Sequence, residues 1–321
     1  MATQWLRRVW LLAAGASVLL LAACGGGEVE SQLTPTRIIA FGDGMADLGQ
    51  NATGRRYTVN DGSVNNWTQY VAQAYGRSLT PARSGGSSYA TGNARVTAKP
   101  GAGGDATAPT VTEQVDAFLA AGGLSSTDLV LVSAGTSDLI VEGRAAIEGR
   151  QTREQMIANV GQAGRDLGAQ VRRLVNAGAQ HVVVAGPYNL GRSPWAKQTG
   201  QSGLLESAST EFNNRFLISV VDLGAKVLYV DAALQFNVYE ANPANYGLNN
   251  RSDPACTSVD PGEGIGTGPA QINSLNCTTA DVVQPGTAVY DTYLFADRVY
   301  PTPRGQRLFG EHAFNRVKER W

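Results

Sequence analysis

Four separated segments of this 321-residue chain carry the residue types that acyl transfer uses. The first is Asp43-Gly44-Met45-Ala46-Asp47-Leu48-Gly49, directly after an apolar run. The second is a loop around Gly92, the third is Gly135-Thr136-Ser137-Asp138, and the fourth is Asp297-Arg298-Val299-Tyr300. Such chemistry needs a hydroxyl that attacks, a neutral base that takes its proton, a carboxylate that orients the base, and donors aimed at the oxyanion. Carboxylates and donors are present. Position 44, at the tip of the first turn where a nucleophile would stand, is glycine, and position 300 is a phenol whose ordinary pKa near 10 makes it a poor base.

Taken in order, these segments resemble the blocks of the GDSL (SGNH) hydrolases. Phe41-Gly42-Asp43-Gly44-Met45-Ala46-Asp47-Leu48-Gly49 is similar to Phe-Gly-Asp-Ser-(Leu)-x-Asp-x-Gly, with glycine in place of serine. Ser88-Tyr89-Ala90-Thr91-Gly92-Asn93-Ala94 is similar to Asn-Tyr/Phe-Ala-x-Gly-Gly-Ala. Gly135-Thr136-Ser137-Asp138-Leu139 is similar to Gly-x-Asn-Asp-Leu, with Ser137 at the asparagine. Phe295-Ala296-Asp297-Arg298-Val299-Tyr300-Pro301-Thr302 is similar to Phe-x-Asp-x-x-His-Pro-Thr, with Tyr300 at the histidine. The resemblance covers nearly the whole chain after its leader. It implies that Gly44 holds the nucleophile position, Gly92 offers an oxyanion N–H, Asp297 is the orienting acid and Tyr300 holds the base position. Without it, an ordinary turn glycine is the alternative reading of Gly92.

Three of the four catalytic side chains are thus replaced. Loss of the nucleophile or the base alone costs roughly 10⁶ in kcat in a serine hydrolase, and loss of one oxyanion donor about 10²–10³. The chain has two histidines. His181 begins a strand, at the end of the sheet away from the crevice where α/β ligands bind, and His312 falls well into a C-terminal helix. Ser87, Ser88, Ser133 and Ser137 lie near the crevice but lack a base. The leading reading is a non-catalytic relative that uses the old crevice for binding or docking. Two alternatives stay open: an active carboxylesterase or lipase with a rearranged site, and a purely structural envelope protein. The resemblance implies an acyl-ester, lipid or glycan ligand and no cofactor or metal.

The elements that must position these residues follow from the apolar pattern. Short buried runs alternate with amphipathic stretches, the mark of a parallel sheet with helices on both faces. Strands are expected at residues 37–41, 129–133, 181–185 and 227–230. The clearest helix runs from Thr152 to Ala177, opened by a Thr152/Gln155 capping box and stopped by Gly178. Others are expected over 66–75, 112–120, 204–223 and 303–319. With the resemblance, this predicts a three-layer α/β/α sandwich with a parallel sheet of about five strands, and one domain from residue 36 to 321. The stretch 239–285 breaks the alternation, and loops of that length are usually functional or tied down.

Arg7 and Arg8 precede an apolar run from Val9 to Leu21, thirteen residues, which is short for a membrane span and typical of a signal segment. It leads into Leu21-Ala22-Ala23-Cys24, which resembles a bacterial lipobox. That implies a signal peptide over 1–23, lipidation of Cys24 and a tether over 24–35, with the protein anchored at the cell envelope. No aspartate follows Cys24, which favours the outer membrane. An ordinary secretory signal cut near Ala23 is the other reading. In an exported protein Cys256 and Cys277 are expected to form a disulfide, worth about 3 kcal/mol by loop entropy; two sulfurs alone make a poor zinc site. The net charge of −1 gives no footprint for nucleic acid.

Overall fold

The computed structural model describes residues 32–321, so the expected signal segment, Cys24 and most of the tether lie outside it. In chain order the principal elements are β1 (Ile38–Gly42), α1 (Trp67–Ala74), α2 (Val111–Ala121), β2 (Leu129–Ser133), α3 (Thr136–Ile147), α4 (Arg153–Asn176), β3 (His181–Ala185) and α5 (Pro194–Thr199). They continue as α6 (Ser202–Ser219), β4 (Val227–Tyr229), α7 (Ala232–Ala241), β5 (Asn250–Pro254), β6 (Val259–Asp260), β7 (Gln271–Ile272), β8 (Tyr293–Phe295) and α8 (Pro303–Arg320).

The main sheet is parallel, in the order β1-β2-β3-β4, with Ile38 opposite Leu129 and Leu129 opposite His181. Its first two strands are buried throughout, which is why they read as unbroken apolar runs rather than as alternating ones. It has four strands, one fewer than expected. Where a fifth would flank β1, residues 87–89 run parallel to it through a single bridge, Ala40 to Ser88. The Tyr89 N–H donates to the Ala40 carbonyl at 2.7 Å.

Helices cover both faces. Phe118 of α2 meets Phe41 of β1 at 5.5 Å between ring centroids, while on the other face Phe309 of α8 meets Trp67 of α1 at 5.5 Å and Phe236 of α7 at 5.9 Å. Helix α4 has the expected capping box. It packs against α6 through Gly164 and Gly168, where a Cβ would lie 2.3 Å from the Phe212 carbonyl and 1.8 Å from the Ser219 hydroxyl. An interior helical glycine costs about 1 kcal/mol against alanine; here close approach of the two backbones requires it.

The long stretch after α7 is ordered. Its β5 pairs with β8, β6 and β7 form a hairpin, and Cys256 is bonded to Cys277 with Cα atoms 5.9 Å apart. The Asn60 N–H donates to the Cys277 carbonyl at 2.9 Å, which fastens this loop to the segment after β1.

Candidate functional site

The family-like positions converge at the C-terminal ends of the strands. Gly44 follows β1, Ser137 lies in the first turn of α3 after β2, and Asp297 and Tyr300 follow β8. All five, with Gly92, are buried.

Asp43 is fully buried and binds three N–H groups. Its Oδ1 accepts from Met45 at 3.0 Å, and its Oδ2 accepts from Thr136 at 2.8 Å and Ser137 at 3.3 Å. It therefore caps α3 from another element, where charge and orphan donors are complementary. Burial nevertheless pushes its carboxyl up to about 7. Asp47 accepts from Gly49 and Gln50 at 2.8 Å each and from the Gly92 N–H at 2.9 Å, and burial lifts it to about 6. The donor expected to serve an oxyanion is thereby held by a carboxylate of the same site. Asp138 ties two elements together. It accepts from Arg95 Nε at 3.1 Å and from the Val96 N–H at 3.0 Å, so it clamps the Gly92 loop; burial raises it while Arg95 pulls it back.

Asp297 sits in the orienting position and orients the chain instead. One oxygen accepts from the Val299 and Tyr300 N–H groups at 2.7 and 2.6 Å. The other accepts from the Ser274 N–H at 3.1 Å and the Ser274 hydroxyl at 2.5 Å. Burial raises it to about 6 despite these four donors.

Tyr300 fills the space of the missing nucleophile. A Cβ built on Gly44 would sit 2.7 Å from both Cζ and Oη of Tyr300, well inside contact distance. The loss of a side chain at one position is matched by a longer one at the other, as close packing demands. The Tyr300 hydroxyl does not bond to Asp297 or to Gly92, whose bonding groups are already taken. Burial pushes the phenol's pKa well up, and the Ser137 hydroxyl draws it back in part. Neither oxygen makes a well-oriented hydrogen bond among the described residues.

Tyr57, which the sequence did not single out, closes the site from outside. Its ring lies 4.9 Å from that of Tyr300, tilted by 47°, and a Cβ on Gly92 would fall 2.0 Å from its Cε2. No periodicity or motif in the loop between β1 and α1 marks it. Ser274 was equally unmarked. On the outer side of Tyr57 remains a cleft of about 340 Å³, bordered by Asp47, Asn93, Asp105 and Leu275, with no lysine or arginine in its lining.

Neither histidine belongs to this cluster. His181 lies at the start of β3 with its ring 5.0 Å from that of Trp321, at the opposite end of the sheet, and His312 lies in α8 beside Phe309.

The buried aspartates set a pH dependence of stability. Unfolded aspartates titrate near 3.9, whereas the folded chain holds protons at Asp47 and Asp297 up to about 6 and at Asp43 up to about 7. Between these limits the native state binds more protons, so stability falls as pH rises. His181 and His312, half-buried and held below the usual histidine value by burial, act oppositely below about pH 6.5. Full burial makes the aspartate effect the larger. The Tm at pH 5 is expected to exceed that at pH 8 by about 3 °C or more, roughly what 1 kcal/mol does in a domain of this size. A Tm that climbs from pH 5 to pH 8 would show the histidines to dominate.

Comparison with known proteins agrees with this geometry. The sequence profile of GDSL-like lipases and acylhydrolases matches residues 38–313. Two Arabidopsis thaliana proteins named GDSL esterase/lipase are each 29% identical, over 157 and 154 residues, covering 46% and 45% of this chain and 40% and 37% of their own length. An uncharacterized protein of the trpE-trpG intergenic region of Pseudomonas putida is 27% identical over 164 residues, 51% of this chain and 26% of that protein. The matches thus span between about a quarter and two fifths of the length of these relatives.

Proposed function

Because this chain belongs to the family of GDSL-like lipases and acylhydrolases, we propose that it is a member in which binding has replaced hydrolysis. The observation that carries this reading is the Tyr300 ring in the space a serine at position 44 would need. A phenol buried among carboxylates, its pKa raised well above 10, takes no proton from a hydroxyl at neutral pH. The Gly92 N–H, which an oxyanion would require, donates to Asp47 instead. What persists of the crevice is the cleft outside Tyr57. Its carboxylate and amide lining suits a neutral ligand, such as an acyl ester or a glycan, over an anion.

The same proposal places the protein at the bacterial envelope, held to the outer membrane by acyl chains on Cys24 after removal of residues 1–23. Among the described residues no helix is long and apolar enough to cross a membrane. Replacement of Cys24 by alanine should move the protein from the membrane to the soluble fraction.

The enzymatic half is tested by exposing the purified protein to a fluorophosphonate probe and to p-nitrophenyl acetate and butyrate. The expected result is no labelled residue and no turnover above buffer. A labelled serine would restore the reading of an active esterase with a rearranged site.

A further inference from the structure

The end of the sheet opposite the cleft carries a surface that ligand binding does not use. The described chain enters the domain here: the Gln32 N–H donates to the Trp321 carbonyl at 3.2 Å. Beside Trp321, the Arg320 guanidinium donates to the Gly224 carbonyl, and Gly224 follows the turn Val221–Leu223 that ends α6. Gln32, Trp321, Arg320 and Val221 are therefore neighbours on one face.

That face is apolar at its centre. Val221 is 80% exposed and Ile218 66%, and with Leu217 they make up three of the five large hydrophobic side chains exposed among the described residues. Its rim is cationic. Lys226, Lys318 and Arg320 form no ion pair among the described residues, whereas the acids nearby, Asp222 and Glu319, are held by Arg172 and Arg316. Exposed aliphatics, a half-buried tryptophan and cations without a carboxylate partner together are the chemistry of a membrane interface.

The position of Cys24 supplies the geometry. Seven residues lie between it and Gln32, eight chain steps with a covalent reach of at most about 29 Å. We infer that this end of the domain rests on the lipid surface. Ile218 and Val221 enter the headgroup layer, Lys226, Lys318 and Arg320 meet lipid phosphates, and the cleft at the other end of the strands faces away from the membrane. The inference relies on the Cys24 anchor for proximity alone and is independent of any loss of catalysis.

The test uses the full lipidated protein in vesicles of phosphatidylethanolamine and phosphatidylglycerol that carry a nitroxide at the headgroup. Trp67 and Trp195 are buried, at 0% and 1% exposure, so quenching of tryptophan fluorescence should come from Trp321 and disappear in Trp321→Phe. The double variant Ile218→Asp, Val221→Asp should reduce that quenching at least about threefold. Each of Lys226→Gln and Lys318→Gln should weaken the contact of the Cys24→Ala protein with the same vesicles about fivefold, the effect of one cation near an anionic surface. Quenching unchanged by Trp321→Phe, in protein that remains vesicle-bound, would overturn the inference. A dimer in sedimentation that Val221→Asp dissolves would also overturn it and assign the face to a second copy. Failure of the anchor itself would show separately, as an unlipidated Cys24 in the mass of the N-terminal peptide.

Discussion

The triple variant Gly44→Ser, Ser137→Asn, Tyr300→His is expected to hydrolyse p-nitrophenyl butyrate at least about 10² above the parent protein, the lower range of what a positioned general base contributes. The single variant Gly44→Ser is expected to show nothing above buffer. The difference lies in Tyr300. In the single variant the new Cβ collides with the Tyr300 ring 2.7 Å away and the hydroxyl finds no base. Overpacking of this kind typically costs 1–3 kcal/mol, so that variant should lose stability without gaining chemistry. In the triple variant, histidine vacates the space, and Asp297, already bonded to the N–H of residue 300, stands in the family's orienting position. The gain should stop short of a native enzyme while the Gly92 N–H stays with Asp47. Strong hydrolysis by Gly44→Ser alone would reveal a base elsewhere.

Asp297→Ala is expected to destabilise the fold by about 4 kcal/mol or more, because each buried donor left without its acceptor costs about 1–3 kcal/mol. Three N–H groups and one hydroxyl lose their partner at once, and two of them, from Ser274, connect the disulfide-tied loop to the segment after β8. Asp297→Asn keeps one oxygen as an acceptor and should lose roughly half as much. Urea unfolding measures both. A loss within 1 kcal/mol for the alanine variant would make Asp297 a relic of catalysis with no structural role.

The sequence exposed the sheet well because its strands are buried on both faces. Such strands are continuous apolar runs whatever the rest of the fold does, and β2 and β3 have the expected limits. Helix α4 was equally plain, since its capping box is local. Helix α3 was not, because its N-cap is Gly135, which has no side chain, and the capping carboxylate comes from Asp43, 93 residues earlier. Residues 87–89 lie beside β1 through one bridge, too little pairing to leave an alternation or an apolar run. At the site, the motif residues were identifiable by type and order. The cover supplied by Tyr57 and the brace supplied by Ser274 were not, since both come from irregular segments where a contact across the fold leaves no local pattern.

The fit between Gly44 and Tyr300 also bears on descent. Neither half can be undone first without loss: a serine at 44 meets an occupied space, and a histidine at 300 leaves the far end of the phenol's space unfilled while there is still nothing to activate. Neighbours in contact do not contribute additively, so the two single reversals together are expected to cost more than the double one. Selection that tests one substitution at a time therefore meets a valley in both directions. The exchange therefore resists stepwise reversal, because the packing of Tyr300 against Gly44 binds the two positions into one unit.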